Sequence, residues 1–180
     1  MRTEGSQGRR EARVRPRHTS QDDLRVREFE AYVAGAGTRL LHLATLLTAE
    51  TPDDNPHARR LLTLALARTY ASWDRLHGED PYAHTRQCLA TRFANGAWHR
   101  RGGLLRPRAR PAGLLARLSP QERLVLVLRL REGIAEEQTA ALLGLSAERV
   151  RAVLHRAMTA VLSPPPRPAS AVGGVKAVPS

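Results

Sequence analysis

From Phe29 to Leu47, apolar side chains return every three or four residues. Phe29, Tyr32, Val33, Leu40, Leu41, Ala44 and Leu47 make the stripe expected of one buried helix face. Gly35 and Gly37 weaken its middle. Asn55-Pro56 opens a second helix, because Asn caps well and Pro is tolerated at the first helical position. That helix is expected to reach about Leu76 and to bury Leu61, Leu62, Ala65, Leu66, Tyr70 and Trp73. Asp80-Pro81 repeats the signal, and a third helix carries Tyr82, Cys88, Leu89, Phe93 and Trp98. The pattern resumes at Ser119-Pro120-Gln121-Glu122, where Ser119 as cap and Glu122 reaching back form a capping box. Leu124, Val125, Leu128 and Leu130 follow, Gly133 ends that helix, and two short helices come after it. No strand-like alternation of any length occurs, and the apolar residues are mostly Leu, Ala and Val, so the class is all-α.

The pattern divides the chain into two small helical domains, each long enough for a core of its own. Residues 1–27 lack apolar periodicity and read as a disordered basic tail. Residues 28–101 form the first domain and 114–162 the second. Between them, 102–113 form a flexible basic linker in which Pro107 and Pro111 argue against a helix. Residues 163–180, opening with Pro164-Pro165-Pro166, read as a second flexible tail.

The sharpest constellation runs from Glu136 to Val153. Two short helices meeting at a steep angle need a small residue at their contact, a residue that tolerates positive φ at the turn, and an apolar plug after it. Ala140, Gly144 and Leu145 meet those needs, and Val150 and Val153 seal the pair. Ser146 is placed to cap the second helix. The spacing predicts a helix-turn-helix, whose second helix presents its N-terminal end to base edges in the major groove. Ser146, Glu148, Arg149, Arg151, His155 and Arg156 are the candidate DNA-facing residues, with Arg149 and Arg151 foremost. The plain alternative is a helical hairpin with a solvated basic face.

Charge points the same way. Lys and Arg number 29 against 17 Asp and Glu, giving a net charge of +12, and the pI is about 11.4. Such a balance is the footprint of a polyanionic partner. Cys88 is the lone cysteine and reads as a small apolar filler, which excludes an internal disulfide and fits a reducing cytoplasm. No apolar run is long enough for a membrane span. His42, His57, His84 and His99 are scattered along the chain without metal-ligand spacing. No Gly-rich phosphate loop is present. Asp53-Asp54 and Glu136-Glu137 read as helix-start charges, so neither catalysis nor a cofactor or metal is expected.

The run LSPQERLVLVLRLREGIAEEQTAALLGLSAERVRAVLHRAM, with its Leu-Ser-Pro-x-x-Arg opening and Ser-x-x-x-Val-Arg second helix, resembles region 4 of the extracytoplasmic-function sigma factors. That resemblance implies binding to the −35 promoter element. FEAYVAGAGTRLLHLATLLT, ALARTYASWDRL and DPYAHTRQCLATRFANGAWHRR resemble the helices of region 2. There the resemblance implies contact with the clamp of core RNA polymerase and opening of the −10 element. Carried over by position, Arg86, Arg92, Asn95, His99, Arg100 and Arg101 fall on the DNA-facing side of the third helix. Arg59, Arg60, Leu61 and Thr63 fall on the polymerase-facing stretch. Trp73 and Trp98 are candidates either for base stacking or for the core.

One departure stands out. Where the family reads Ala-Glu-Asp-Leu-Val-Gln, this chain reads Ala58-Arg59-Arg60-Leu61-Leu62-Thr63. The resemblance implies an alternative sigma factor whose partners are promoter DNA, core RNA polymerase and an anti-sigma factor. The reversed charges keep two other readings open: a helix-turn-helix regulator that does not engage polymerase productively, and an interaction module acting as a decoy for an anti-sigma factor.

Overall fold

The computed structural model of the chain describes residues 15–76, 78–99 and 113–163. All the regular elements among them are helical. Helix α1 spans Arg15–Thr48, α2 Pro56–Ala71, α3 Pro81–His99, α4 Pro120–Leu126, α5 Glu136–Leu143 and α6 Ala147–Leu162. Short 3-10 turns lie at Trp73–Arg75 and Leu114–Arg117.

In the first block, α1, α2 and α3 pack together around Leu40, Leu43, Ala44, Leu47, Ala65 and Leu89. Hydroxyl groups tie the three helices at one point. The hydroxyls of Tyr32 and Thr85 share a hydrogen bond of 2.6 Å, Thr69 and Thr85 one of 2.9 Å, and Thr85 also donates to the Pro81 carbonyl. Burial raises the Tyr32 pKa despite its bond to Thr85. Half-buried Cys88 packs against this core as a small filler, and burial pushes its thiol pKa up.

The sequence reading needs correction in the first block. The basic tail expected to reach Arg27 is shorter, because α1 begins at Arg15; residues 1–14 lie outside the described residues. Polar contacts hold this early part of α1. Arg25 lies 4.5 Å above the Tyr70 ring, donates to the Tyr70 carbonyl at 2.8 Å and stands 3.3 Å from an Asp74 oxygen. Phe29, Tyr32, Tyr70 and Trp73 form an aromatic cluster alongside, with Trp73 edge-on to Phe29 at 5.1 Å. Trp73 is therefore a packing residue. Helix α2 stops at Ala71, short of the expected Leu76, and gives way to the Trp73–Arg75 turn.

Asn55 precedes α2 but its side chain does not cap the helix. Glu50 does. Its carboxylate accepts from the Ala58 amide at 2.7 Å, the His57 amide at 3.1 Å, His57 Nδ1 at 2.8 Å and the Thr48 hydroxyl at 2.9 Å. Burial alone would raise the Glu50 pKa, but these donors outweigh it and hold the carboxyl below the usual glutamate value of about 4.5. The staple therefore contributes in full above about pH 4.5 and is lost as pH falls through the lower folded value. Glu50→Gln is expected to lower stability by about 2 kcal/mol at neutral pH. Because the loss comes from this one titration, the gap should shrink in urea titrations run stepwise from pH 6 to pH 2. A constant gap would show that the carboxylate's charge is not what holds the corner.

The second block opens with the expected capping box. Ser119 Oγ accepts from the Glu122 amide at 3.3 Å while Glu122 Oε2 accepts from the Ser119 amide at 3.0 Å. Past Leu126 the helix widens into a π turn at Val127–Arg131, in which the Glu132 amide donates to the Val127 carbonyl at 3.1 Å. Gly133, at φ 65°, then ends it as expected.

The two blocks pack on one another. Helix α4 lies against α1 and α3, and α5 also meets α3. Leu124, Val125, Leu128, Leu143, Val150 and Val153 share one continuous core with the first block. Arg123, only 5 % exposed, sits at this seam. Its guanidinium donates to the carbonyls of Leu115 (3.1 Å), Leu118 (3.1 Å) and, across the seam, Leu47 in the last turn of α1 (2.9 Å). Burial lowers its pKa. The expected linker up to Ala112 and the tail after Ser163 lie outside the described residues.

Candidate nucleic-acid interface

The turn between α5 and α6 is built as its sequence demands. Gly144 adopts φ 64°, ψ 37°, a left-handed conformation that carries little steric penalty without a Cβ. The Leu145 amide then donates to the Ala140 carbonyl at 2.9 Å and the Gly144 amide to Ala141 at 3.4 Å, which closes a Schellman turn. Leu145 packs against the core as the plug. Ser146 caps α6, its hydroxyl accepting from the Arg149 amide at 3.2 Å. Val150, Val153 and Ala157 face inward, and Ala140 is buried beneath them.

This packing leaves the opposite face of α6 to solvent. Glu148, Arg149, Arg151, His155 and Arg156 are all exposed there. They are not equivalent. Arg149 makes no ion pair with any described residue. Arg151 reaches back to Glu136 in the first turn of α5, with Nη2 donating to Oε1 at 2.7 Å. Arg156 Nε stands 3.6 Å from Glu122 Oε1, beside the α4 capping box. Burial raises the Glu122 pKa, but the Ser119 donors and Arg156 together bring it below 4.5. Exposed Ser146 accepts from the Arg149 amide and so positions the start of the helix.

The candidates on the first block are more scattered. Arg92 and Asn95 are exposed on α3. Arg86 is not: it turns towards the second block, 3.7 Å from Glu132. His99 ends α3, and its side chain, that of Trp98, and Arg100 and Arg101 lie outside the described residues. On α2, Arg59, Arg60 and Thr63 are exposed. Arg59 Nε donates to Asn55 Oδ1 at 2.9 Å, and Thr63 donates to the Arg59 carbonyl. Leu61 turns the other way and packs on the core, so it does not belong to that outward face.

Tyr82 and Glu132 form a polar pair that their own sequence neighbourhoods do not disclose. The Tyr82 hydroxyl donates to Glu132 Oε2 at 3.0 Å. Burial and the adjoining carboxylate push its pKa up to about 12. Tyr82 occupies an apolar position in the pattern of its helix, and nothing local signals its bond to a residue fifty positions away.

Among the described residues, no helix is long and apolar enough to cross a membrane. Residues 114–161 match the family model for sigma-70, region 4. The chain is 34 % identical over 155 residues to the RNA polymerase sigma-E factor of Streptomyces coelicolor, covering 74 % of this chain and 83 % of that protein. It is likewise 34 % identical to the sigma-E factor of Streptomyces avermitilis, covering 74 % and 82 %, and 32 % identical to that of Streptomyces antibioticus over the same shares. Residues from 114 onward make up roughly a third of the chain, so the likeness extends through much of the first block as well. A basic all-helical chain with a complete helix-turn-helix, related to these proteins along most of its length, thus belongs to the sigma-70 family of RNA polymerase sigma factors, in its extracytoplasmic-function branch.

Proposed function

We propose that this alternative sigma factor reads an upstream promoter element with α6, meets the downstream element with the first block, and docks on core RNA polymerase through the outward face of α2. The observation that carries the reading is the exposed N-terminal end of α6, with Arg149 and Arg151 set beside a capped helix start. An arginine there suits a bidentate contact to guanine, and Arg156 and His155 one turn on suit nearby phosphates. The functional units are residues 28–101 and 114–162. The exposed Arg92 and Asn95 continue the DNA-facing side of α3, and His99, Arg100 and Arg101 extend it. RNA synthesis itself belongs to the polymerase, and the chain works beside it in the cytoplasm. An anti-sigma protein is a further partner of this design.

A second reading is favoured by one observation. Exposed Arg59 and Arg60 stand where the family's pattern is acidic, and like charges set against an unchanged clamp would cost several kcal/mol. In that case the chain is a DNA-binding regulator derived from a sigma factor. Gel filtration with core RNA polymerase decides between them. The natural chain is expected to co-elute, which leaves the arginines as a rewired interface. Co-elution of an Arg59→Glu, Arg60→Asp variant alone would establish the regulator instead. Failure of both would remove the polymerase-docking role of α2.

A further inference from the structure

Arg39 on α1 and Tyr82 and Arg86 on α3 converge on one point, and a carboxylate from the other block fills it. Tyr82 donates to Glu132 Oε2 at 3.0 Å, while Arg39 Nη2 and Arg86 Nη1 each stand 3.7 Å from the same oxygen. The Arg39 guanidinium lies 4.1 Å above the Tyr82 ring, and Arg86 lies 6.0 Å from its centre. Two guanidiniums and a phenol hydroxyl around one oxyanion suit a phosphate as well as a carboxylate.

Glu132 is an ill-matched occupant. Its side chain is 1 % exposed, yet its other oxygen, Oε1, is buried with no hydrogen-bond partner among the described residues. At 3.7 Å the two arginines attract it without hydrogen-bonding to it. A phosphodiester has two charged oxygens, takes paired N–H donors from arginine, and keeps its outer side in water. Such contacts fix a protein on nucleic acid without reading sequence. The arrangement also accounts for Arg86, which α3 would otherwise offer to DNA.

We propose that Arg39, Tyr82 and Arg86 form a site for a DNA backbone phosphate, which Glu132 occupies whenever the second block lies against the first. DNA and the second block then compete for the same three donors, and the closed chain holds part of its DNA-binding face shut. The identity of the polyanion rests on the promoter-binding reading above.

The test uses the full chain, a fluorescently labelled duplex of random sequence, and small-angle X-ray scattering. Glu132→Gln keeps the side chain's size and removes its charge. It is expected to raise the radius of gyration and to tighten duplex binding about tenfold at low salt. The slope of log affinity against log salt should steepen by roughly 2, one for each arginine released to a phosphate. Adding Arg39→Ala and Arg86→Ala should return both affinity and slope to those of the natural chain. Tyr82→Phe keeps the ring under Arg39 but removes both the hydrogen bond to Glu132 and one phosphate donor. It should therefore raise the radius of gyration and steepen the slope as the arginines are freed, with a smaller gain in affinity than Glu132→Gln. It decides the matter if Glu132→Gln does not fold. The proposal is overturned if the variants stay as compact as the natural chain with an unchanged slope, or if the gain survives loss of both arginines. If the natural chain binds duplex and only these changes are missing, this site fails while the promoter reading stands. If no variant binds duplex even after opening, both fall together.

Discussion

Arg123→Ala is expected to melt on the order of 10 °C below the natural chain. The reason is the number of partners one guanidinium serves. Two buried carbonyls, those of Leu47 and Leu118, take their donors from Arg123, and the half-buried carbonyl of Leu115 accepts from it as well. Truncation leaves the Leu47 and Leu118 carbonyls facing a cavity, while Leu115 keeps its bond from the Leu118 amide. A buried carbonyl without a donor costs about 1–3 kcal/mol. Even with some water entering, the loss should come to about 3–5 kcal/mol, a large share of the 5–15 kcal/mol that holds an ordinary domain together. Leu47 lies in the last turn of α1, where the helix dipole favours a cation, so the charge also finds compensation there without a carboxylate. Arg123→Lys should recover only part of the loss, because an ammonium lacks the planar fork that serves three directions at once. Calorimetry of the three proteins checks this. Melting of Arg123→Ala within about 2 °C of the natural chain would mean that solvent replaces the arginine at little cost.

Arg149→Ala with Arg151→Ala is expected to remove sequence-specific duplex binding. A well-made arginine–guanine contact contributes about 1–3 kcal/mol of discrimination, so the pair together represents a hundredfold or more in specific affinity. The two should not behave alike when changed singly. Arg149 makes no ion pair with any described residue and is ready to bind, whereas Arg151 must first leave Glu136. Glu136→Gln should therefore strengthen binding slightly through Arg151, and that gain should vanish in the Arg151→Ala background. Arg156→Ala, by contrast, should weaken binding to all sequences evenly and lower the salt slope by about 1. Anisotropy titrations against a selected duplex and a scrambled one distinguish these outcomes. Equal loss on both duplexes for Arg149→Ala would make that residue a phosphate contact and shift base reading elsewhere on α6.

The parts legible in the sequence are those whose signal is local. Gly144, Leu145 and Ser146 announce a turn and a cap by type and spacing alone, and the Ser119–Glu122 box does the same. What escaped notice involves partners distant in the chain. Glu50 caps α2 from the loop before it, displacing the nearer Asn55, because its longer side chain carries a full charge to three backbone and side-chain donors there. The start of α1 has no apolar stripe to reveal it, and its anchor is an arginine lying on Tyr70. Arg123 stands in the very run that suggests the family, yet its role depends on a carbonyl 76 positions earlier. Arg86 and Leu61 were assigned by position along their helices. In the folded chain Arg86 faces Glu132 and Leu61 packs on the core, neither of which position along a helix discloses.

The π turn at Val127–Arg131 gives the seam one place where the length of the chain can change without a change of register. A π turn holds one residue more than the α-helical turn it replaces, and each residue of an α-helix turns the next by about 100°. A chain lacking any one residue between Val127 and Arg131 would relax to an ordinary helix with its flanking residues unaltered. Because the residue lost is the one the π turn holds in excess, Glu132 would keep its direction and still face Tyr82 and the arginines. A single in-frame codon deletion in this turn would thus leave both the contact between the blocks and the recognition helix in place.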